Sequence, residues 1–387
     1  MLIRGAHVVT PGRDLGVTAV AVEDGKIARL GAAVSAAGET LDADGLLLLP
    51  GFVDIHSHGR GGADFCDATD VAFETIGRGK LMDGVTSFLA TGLTRPESDL
   101  AELCRCATRY AARRRGGATC LGVHLEGPFF NPKMAGAQNP DYLKSPDIAL
   151  VDRLNALAPV RKVSYAPELD GAIPFTAALR RRGIVASLGH SEADYATFAR
   201  AWAAGATHLT HFCNAMLPIH HLRPSMVTGG MLADDVYAEI ITDGVHLADP
   251  MIRLIAKAKG ADRVMVITDA MCAAGEPDGL YSLGGLRVRV EKGRATLADV
   301  PYDPTAVVSN VAGSVALYPS CARRWFRVSE LPLEEAVKAT GFNQLRSLGF
   351  VDRGEIAVGQ VADLVLVDSD FNPQVTICNG EIAWTRR

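Results

Sequence analysis

The segment Asp54-Ile55-His56-Ser57-His58-Gly59 sets two imidazoles one residue apart at the end of an apolar run. Side chains of a strand alternate with period two, so Asp54, His56 and His58 are expected on one face. Imidazoles paired in this way can grip one metal ion; the plainer reading is a hydrogen-bonded structural pair. Glu126 closes a second apolar run, Cys120-Leu121-Gly122-Val123-His124-Leu125. A carboxylate in that position needs a partner, because an unpaired buried charge is costly. His190 in SLGHS and His211 in THLTHFCNAM also end apolar runs. Glu126, His190 and His211 together supply one carboxylate and two imidazoles, a set that suits zinc or ferrous iron and leaves a position open for water. With His56 and His58 added, the set can hold two adjacent ions with Glu126 bridging them. Asp269 in VMVITDAM can pass a proton between water and a leaving group, or else cap the turn that follows. His208 lies three residues before His211, so along a strand it faces the other way and reads as packing or as support for a ligand. His124 shares the face of Glu126 and reads as such a support.

These residues need a scaffold that brings distant strand ends together. Eight short apolar segments run from GFVDIHSH through GVTSFLATG, CLGVHLEG, KVSYAPE, GIVASLGHS, ATHLTHFCN and AEIITDGVH to VMVITDA. Helical stretches such as 99–115 and 193–204 separate most of them, the alternation of a parallel βα sheet. Eight such units in roughly 250 residues match the closed (β/α)8 TIM-type barrel, whose strand ends converge on one active rim. The two ends of the chain differ from this middle. LIRGAHVVT, VTAVAVEDGKIARLG and LDADGLLLLP read as strands, with Asp24-Gly25 as a hairpin turn. The last segment, GEIAVGQVADLVLVDSDFNPQVTICNGEIAW, has the same character. The expected organisation is α/β: a small β-sandwich from residues 1–50 plus 352–387, and a barrel over 51–351.

The chain has 387 residues, 48% of them apolar, and a net charge of −5. That balance leaves no electrostatic footprint for nucleic acid or an anionic membrane. The basic runs Arg113-Arg114-Arg115 and Arg180-Arg181-Arg182 read as solvated helix ends. Eight cysteines without a Cys-x-x-Cys pair argue against a disulfide framework or zinc knuckle and fit a reducing cytoplasm. The first residues lack a signal-peptide core, and the apolar run Leu46–Val53 is too short to span a bilayer.

Taken in order, PGFVDIHSHG, HLEGPFFNPKMAGAQNP, APE, LGHS, HFCNAM, DGVH, TDAM and AGS resemble the N-acetylglucosamine-6-phosphate deacetylase family of the amidohydrolase superfamily. The resemblance covers essentially the whole chain, and RGEIAVGQVADLVLVD looks like the superfamily's returning sandwich strands. It implies that Glu126, His190 and His211 hold the principal metal, that His56 and His58 make a second ion available, and that Asp269 is the general acid/base. The cofactor is then one or two divalent ions, zinc or iron. By the same resemblance, Asn214 and Ala215 contact the phosphate, His246 lies near the sugar, and Arg223 reaches the phosphate from a neighbouring subunit of a homodimer. The implied substrate is a phosphorylated amino sugar whose acetamide is hydrolysed.

Two departures from the family pattern stand out. Gln138 occupies the place where several members carry a His that polarises the acetyl carbonyl; an amide N–H or the second metal could serve instead. The segment Ile219–Ser225 is one residue longer than the usual pattern, so His220 or His221 could share the anion-binding role with Arg223. Rival readings are an N-acetylgalactosamine-6-phosphate deacetylase, an amidohydrolase acting on another N-acyl amino sugar, a dihydroorotase-like cyclic amidase, and a non-catalytic sugar-phosphate sensor. The cyclic amidases resemble this chain at the first strand but bridge their metals with a lysine at the end of the fourth. Here Lys162 stands at the beginning of that strand, and the acid comes from the third.

Overall fold

The computed structural model describes residues 1–32, 34, 38–113, 116–303 and 310–386. Its centre is an eight-stranded parallel sheet in simple sequential order, formed by Phe52–Asp54, Val85–Gly92, Thr119–Glu126, Val160–Tyr165, Val185–Leu188, His208–Leu209, Tyr237–Ile241 and Val264–Ile267. All eight expected strands are present, each shorter at its C-terminal end than the apolar pattern suggested, except Val85–Gly92. The first and eighth strands meet just beyond their ends, where Asp269 N–H donates to His56 O at 2.9 Å and His58 N–H to Ala270 O at 2.8 Å. The sheet is thereby a closed barrel, and the closing seam runs through three residues of the suspected site.

A helix follows each strand. Glu97–Arg113 turns Leu100, Leu103, Cys104 and Ala107 inward onto the barrel, the 3–4 spacing of a core-facing helix. It starts two residues earlier than expected and is described as far as Arg113; Arg114 and Arg115 lie outside the described residues. Asp194 accepts from Thr197 N–H at 2.8 Å and caps Tyr195–Ala204. Arg180 and Arg181 form the last turn of Ala172–Arg181, where cations suit the helix dipole.

Both termini build a pair of mixed sheets. One has four strands (Lys26–Leu30, Val20–Glu23, Leu2–Arg4, Thr40–Asp42), and the other six, including Leu47–Pro50 and the C-terminal Leu364–Val367, Pro373–Cys378 and Glu381–Thr385. Ile3, Val8, Val20, Leu48, Leu364 and Ile377 are buried in one cluster between them. Asp24 and Gly25 both take positive φ at the expected hairpin. LIRGAHVVT is not one strand but two, Leu2–Arg4 and His7–Thr10, in different sheets. The break falls at Gly5, whose φ is +80° and where a Cβ would lie 1.8 Å from Asp44 Oδ1, so only glycine allows the chain to change sheets there.

One element was not expected. Gly279–Leu283, Leu286–Glu291 and Arg294–Leu297 form an antiparallel three-stranded sheet after the eighth barrel strand. Its Leu283, Val288 and Val290 pack on Leu93 and Met271, covering one side of the barrel rim.

Candidate metal centre

The histidines and acids singled out from the sequence meet at the C-terminal rim of the barrel. Glu126 is the last residue of the third strand and is 2% exposed. Its Oε1 lies 3.2 Å from His56 Nε2, 3.3 Å from His190 Nε2 and 3.2 Å from His211 Nε2. Its Oε2 lies 3.2 Å from His58 Nε2 and accepts from Gln138 Nε2 at 2.6 Å. Asp269 Oδ1 faces the same space, 3.3 Å from His56 Nε2 and 3.1 Å from His58 Nε2. Four imidazoles and two carboxylates therefore converge, with Glu126 common to all four rings.

Backbone geometry aims these side chains. His190, His211 and Asp269 all follow the end of a strand and all have positive φ, 49°, 30° and 51°. Left-handed conformations cost a non-glycine residue about 1–3 kcal/mol and concentrate at functional sites. Gly127, next to Glu126, has φ +91°, and a Cβ there would meet Thr94 Oγ1 at 2.3 Å. His56 and His58 also lie beyond their strand, which ends at Asp54, and the expected shared face fails for Asp54. That residue instead turns to Lys80 Nζ at 2.5 Å and Thr268 Oγ1 at 2.6 Å, below the site.

Partners on the far ring nitrogens fix the tautomers. His190 Nδ1 contacts Met134 O at 2.8 Å and His211 Nδ1 contacts Asn214 O at 3.1 Å. A carbonyl can only accept, so both Nδ1 atoms carry hydrogen and both neutral rings turn an Nε2 lone pair toward Glu126. Those two Nε2 atoms are 3.0 Å apart. Buried acceptors that converge without a hydrogen between them require a cation. The donor atoms fall into two groups that could each hold one ion: His56, His58, Glu126 and Asp269, and Glu126, His190 and His211. Buried His56 Nε2 and Asp269 Oδ1, which make no hydrogen bond, point to the same requirement. Carboxylate and imidazole donors suit zinc or iron.

The electrostatics agree. Burial works against a charge on His56, yet Glu126 and Asp269 outweigh it and hold its pKa at about 9. Burial would raise the Glu126 carboxyl, but the imidazoles, His56 foremost, keep it well below the usual carboxylate range. Both shifts favour positive charge at this position, which a divalent cation would supply.

Glu239 and Glu168 give further support that was not legible as such in the sequence, whereas His124 was read there as support and His208 as packing or support. Glu239, in the seventh strand, accepts from His56 Nδ1 at 3.1 Å and pairs with Lys162 of the fourth strand inside the barrel. Burial would raise Glu239, but Lys162 and then His56 hold it at about 2. The signal was a lone acid between Ala238 and Ile240. His124 donates to or accepts from Ser164 Oγ at 2.8 Å, packs edge-on against His56, and is kept neutral by burial. His208 is buried against the Tyr237 ring, a packing role, and burial lowers its pKa to about 3. Glu168 of APE accepts from Ser191 Oγ at 2.6 Å and Glu192 N–H at 2.8 Å, anchoring the turn that carries His190.

Of the remaining expected residues, Gln138, Asn214, Ala215 and His246 line the cavity above Glu126 together with His58, His190, His211 and Asp269. Leu283 of the three-stranded sheet and Gly313 complete one wall. His246 Nδ1 binds Asp243 Oδ2 at 2.8 Å. Arg223 is not among the lining residues and lies on an exposed loop, where its N–H donates to His220 Nδ1 at 3.3 Å.

A closed βα barrel with this rim of imidazoles and acids defines a metal-dependent hydrolase class, and the chain belongs to the amidohydrolase family, whose sequence pattern matches residues 47–383. Within it the chain falls among the N-acetylglucosamine-6-phosphate deacetylases. It is 34% identical over 386 residues to N-acetylglucosamine-6-phosphate deacetylase of Lysinibacillus sphaericus, covering 99% of this chain and 97% of that one. It is 32% identical to N-acetylgalactosamine-6-phosphate deacetylase of Escherichia coli O157:H7, over 88% and 89% of the two chains. The fold superposes with a TM-score of 0.91 on a mutant N-acetyl-D-glucosamine-6-phosphate deacetylase of Mycobacterium smegmatis in complex with N-acetyl-D-glucosamine-6-phosphate, at 32% identity and 100% and 99% coverage. No described helix is long and apolar enough to cross a membrane, and all eight cysteines are free.

Proposed function

We propose that this protein hydrolyses the acetamide of N-acetyl-D-glucosamine 6-phosphate, giving D-glucosamine 6-phosphate and acetate in amino-sugar metabolism. The observation that carries the reading is the convergence of four Nε2 atoms on the two oxygens of Glu126, in a chain alike to these deacetylases from end to end. Glu126, His190 and His211 would hold one ion, and His56 and His58 with Glu126 and Asp269 a second, zinc or ferrous iron. When bound, such an ion activates water at neutral pH and polarises the acyl carbonyl.

The chain's own groups account for the proton traffic. Asp269, whose carboxylate faces the site, takes a proton from the water that adds to the acetyl carbon. The C–N bond then breaks as Asp269 returns that proton to the sugar nitrogen, and acetate leaves. Gln138 has Nε2 on Glu126 and Oε1 on Thr94 N–H at 2.8 Å, which leaves one N–H for the developing oxyanion. His246 serves the sugar, and Asn214 and Ala215 serve the phosphate at the cavity wall. Arg223, exposed within one chain, suits a contribution to the site of a second copy in a homodimer. The free cysteines suit action in the reducing cytoplasm.

The galactosamine epimer is the competing substrate, because the relative named for it is nearly as similar. Acetate release from both N-acetylhexosamine 6-phosphates and their unphosphorylated forms separates the readings. Preference for the glucosamine 6-phosphate form supports the proposal; equal rates on unphosphorylated sugar refute it.

A further inference from the structure

A buried ion pair lies directly beneath the site. Lys162 and Glu239 face each other across the barrel interior, and neither side chain has any exposed surface. Removing two charges from water is costly, and apolar residues of similar volume would often pack there at least as stably. Stability therefore does not account for the pair, but its geometry does. Lys162 occupies Glu239 Oε1, which leaves Oε2 to accept from His56 Nδ1 at 3.1 Å. The four converging rings are not supported alike. His190 and His211 rest on the carbonyls of Met134 and Asn214, and buried His58 Nδ1 has no hydrogen-bond partner. His56 alone of the four rests on a carboxylate.

We propose that Glu239, charge-balanced by Lys162, is a positioning residue that holds His56 with its Nε2 aimed at the ion position formed by His56, His58, Glu126 and Asp269. A carboxylate behind a ligating imidazole fixes the tautomer and ring orientation and raises the ring's basicity, and its loss typically weakens metal binding 10–100-fold. The ion position formed by Glu126, His190 and His211 has its own carbonyl supports and does not depend on Glu239. This inference rests on the metal-site reading above.

The test is calorimetric titration of metal-depleted protein with Zn²⁺, comparing the wild type with Glu239→Gln. The wild type takes up two equivalents; the variant keeps one with affinity within about twofold and loses about 10–100-fold on the other. A general structural defect would weaken both, because Glu126 serves both positions. The double variant Lys162→Met/Glu239→Gln removes both buried charges and gives the same selective loss even if the single variant fails to fold. Uptake of one equivalent by the wild type, or unchanged or equally weakened binding of both in the variants, overturns the inference. Acetate release by the same wild-type preparation reports separately on the proposed reaction.

Discussion

Gln138 and Glu126 are joined by a 2.6 Å hydrogen bond, with Nε2 donating to Oε2. Gln138 is itself held by Thr94 N–H on Oε1 at 2.8 Å, so its orientation follows from its partners. One amide thus steadies the shared carboxylate and offers its second N–H to the cavity. Gln138→Ala should lower kcat by roughly 10²-fold with metal content nearly unchanged, as for loss of one oxyanion donor. Steady-state kinetics with metal analysis checks this, and a kcat within twofold of wild type would remove Gln138 from the reaction.

Asp269→Asn keeps the shape of the side chain and removes its ability to take up a proton. Turnover should fall by about 10²–10⁴-fold, the usual weight of a general acid/base. The ion position formed by Glu126, His190 and His211 should stay filled, since those three residues are untouched. An active Asn variant would assign the proton transfer elsewhere.

His246 gives a pH signature. Burial disfavours its charge, but the hydrogen bond to Asp243 outweighs this and raises its pKa above the ordinary value of about 6.5. With Nδ1 on Asp243, Nε2 donates only in the protonated ring, so the donor is present at acid pH and is lost as pH rises through the raised pKa. KM should climb on the alkaline side. Asp243→Asn lowers that pKa and should move the climb to lower pH. A KM profile unaltered by the substitution would take His246 out of sugar binding.

Below the site, Asp54 and Lys80 form a buried pair at 2.5 Å. Lys80→Met strands a buried carboxylate and should destabilise the fold by about 3–5 kcal/mol in urea unfolding. Adding Asp54→Asn should restore much of the loss. If the double variant is no more stable than Lys80→Met, the pair does not act as a charge pair.

The sequence carried the site further than it carried the scaffold's details. Glu126, His190, His211 and Asp269 were legible because an acid or imidazole ending an apolar strand has few inexpensive explanations. Glu239 was less so: it sits within a strand, and the Lys162 that compensates it comes from 77 positions away, which only the barrel's closure brings near. The period-two rule misassigned Asp54 because the first strand ends there and the chain turns before His56. LIRGAHVVT misled for a related reason, since an apolar pattern does not reveal that Gly5 redirects the chain into a second sheet. The rim sheet did leave a signal, the alternation Leu286-Arg-Val-Arg-Val-Glu291 between glycine turns, but it lay beyond the eight units a barrel requires.

The most direct test of the account is acetate release from N-acetyl-D-glucosamine 6-phosphate by metal-depleted protein as Zn²⁺ or Fe²⁺ is added back. The account predicts no acetate above background without metal, and a rate that rises with bound ion and is lost again on chelation. Full activity in protein shown by analysis to hold no metal would contradict it.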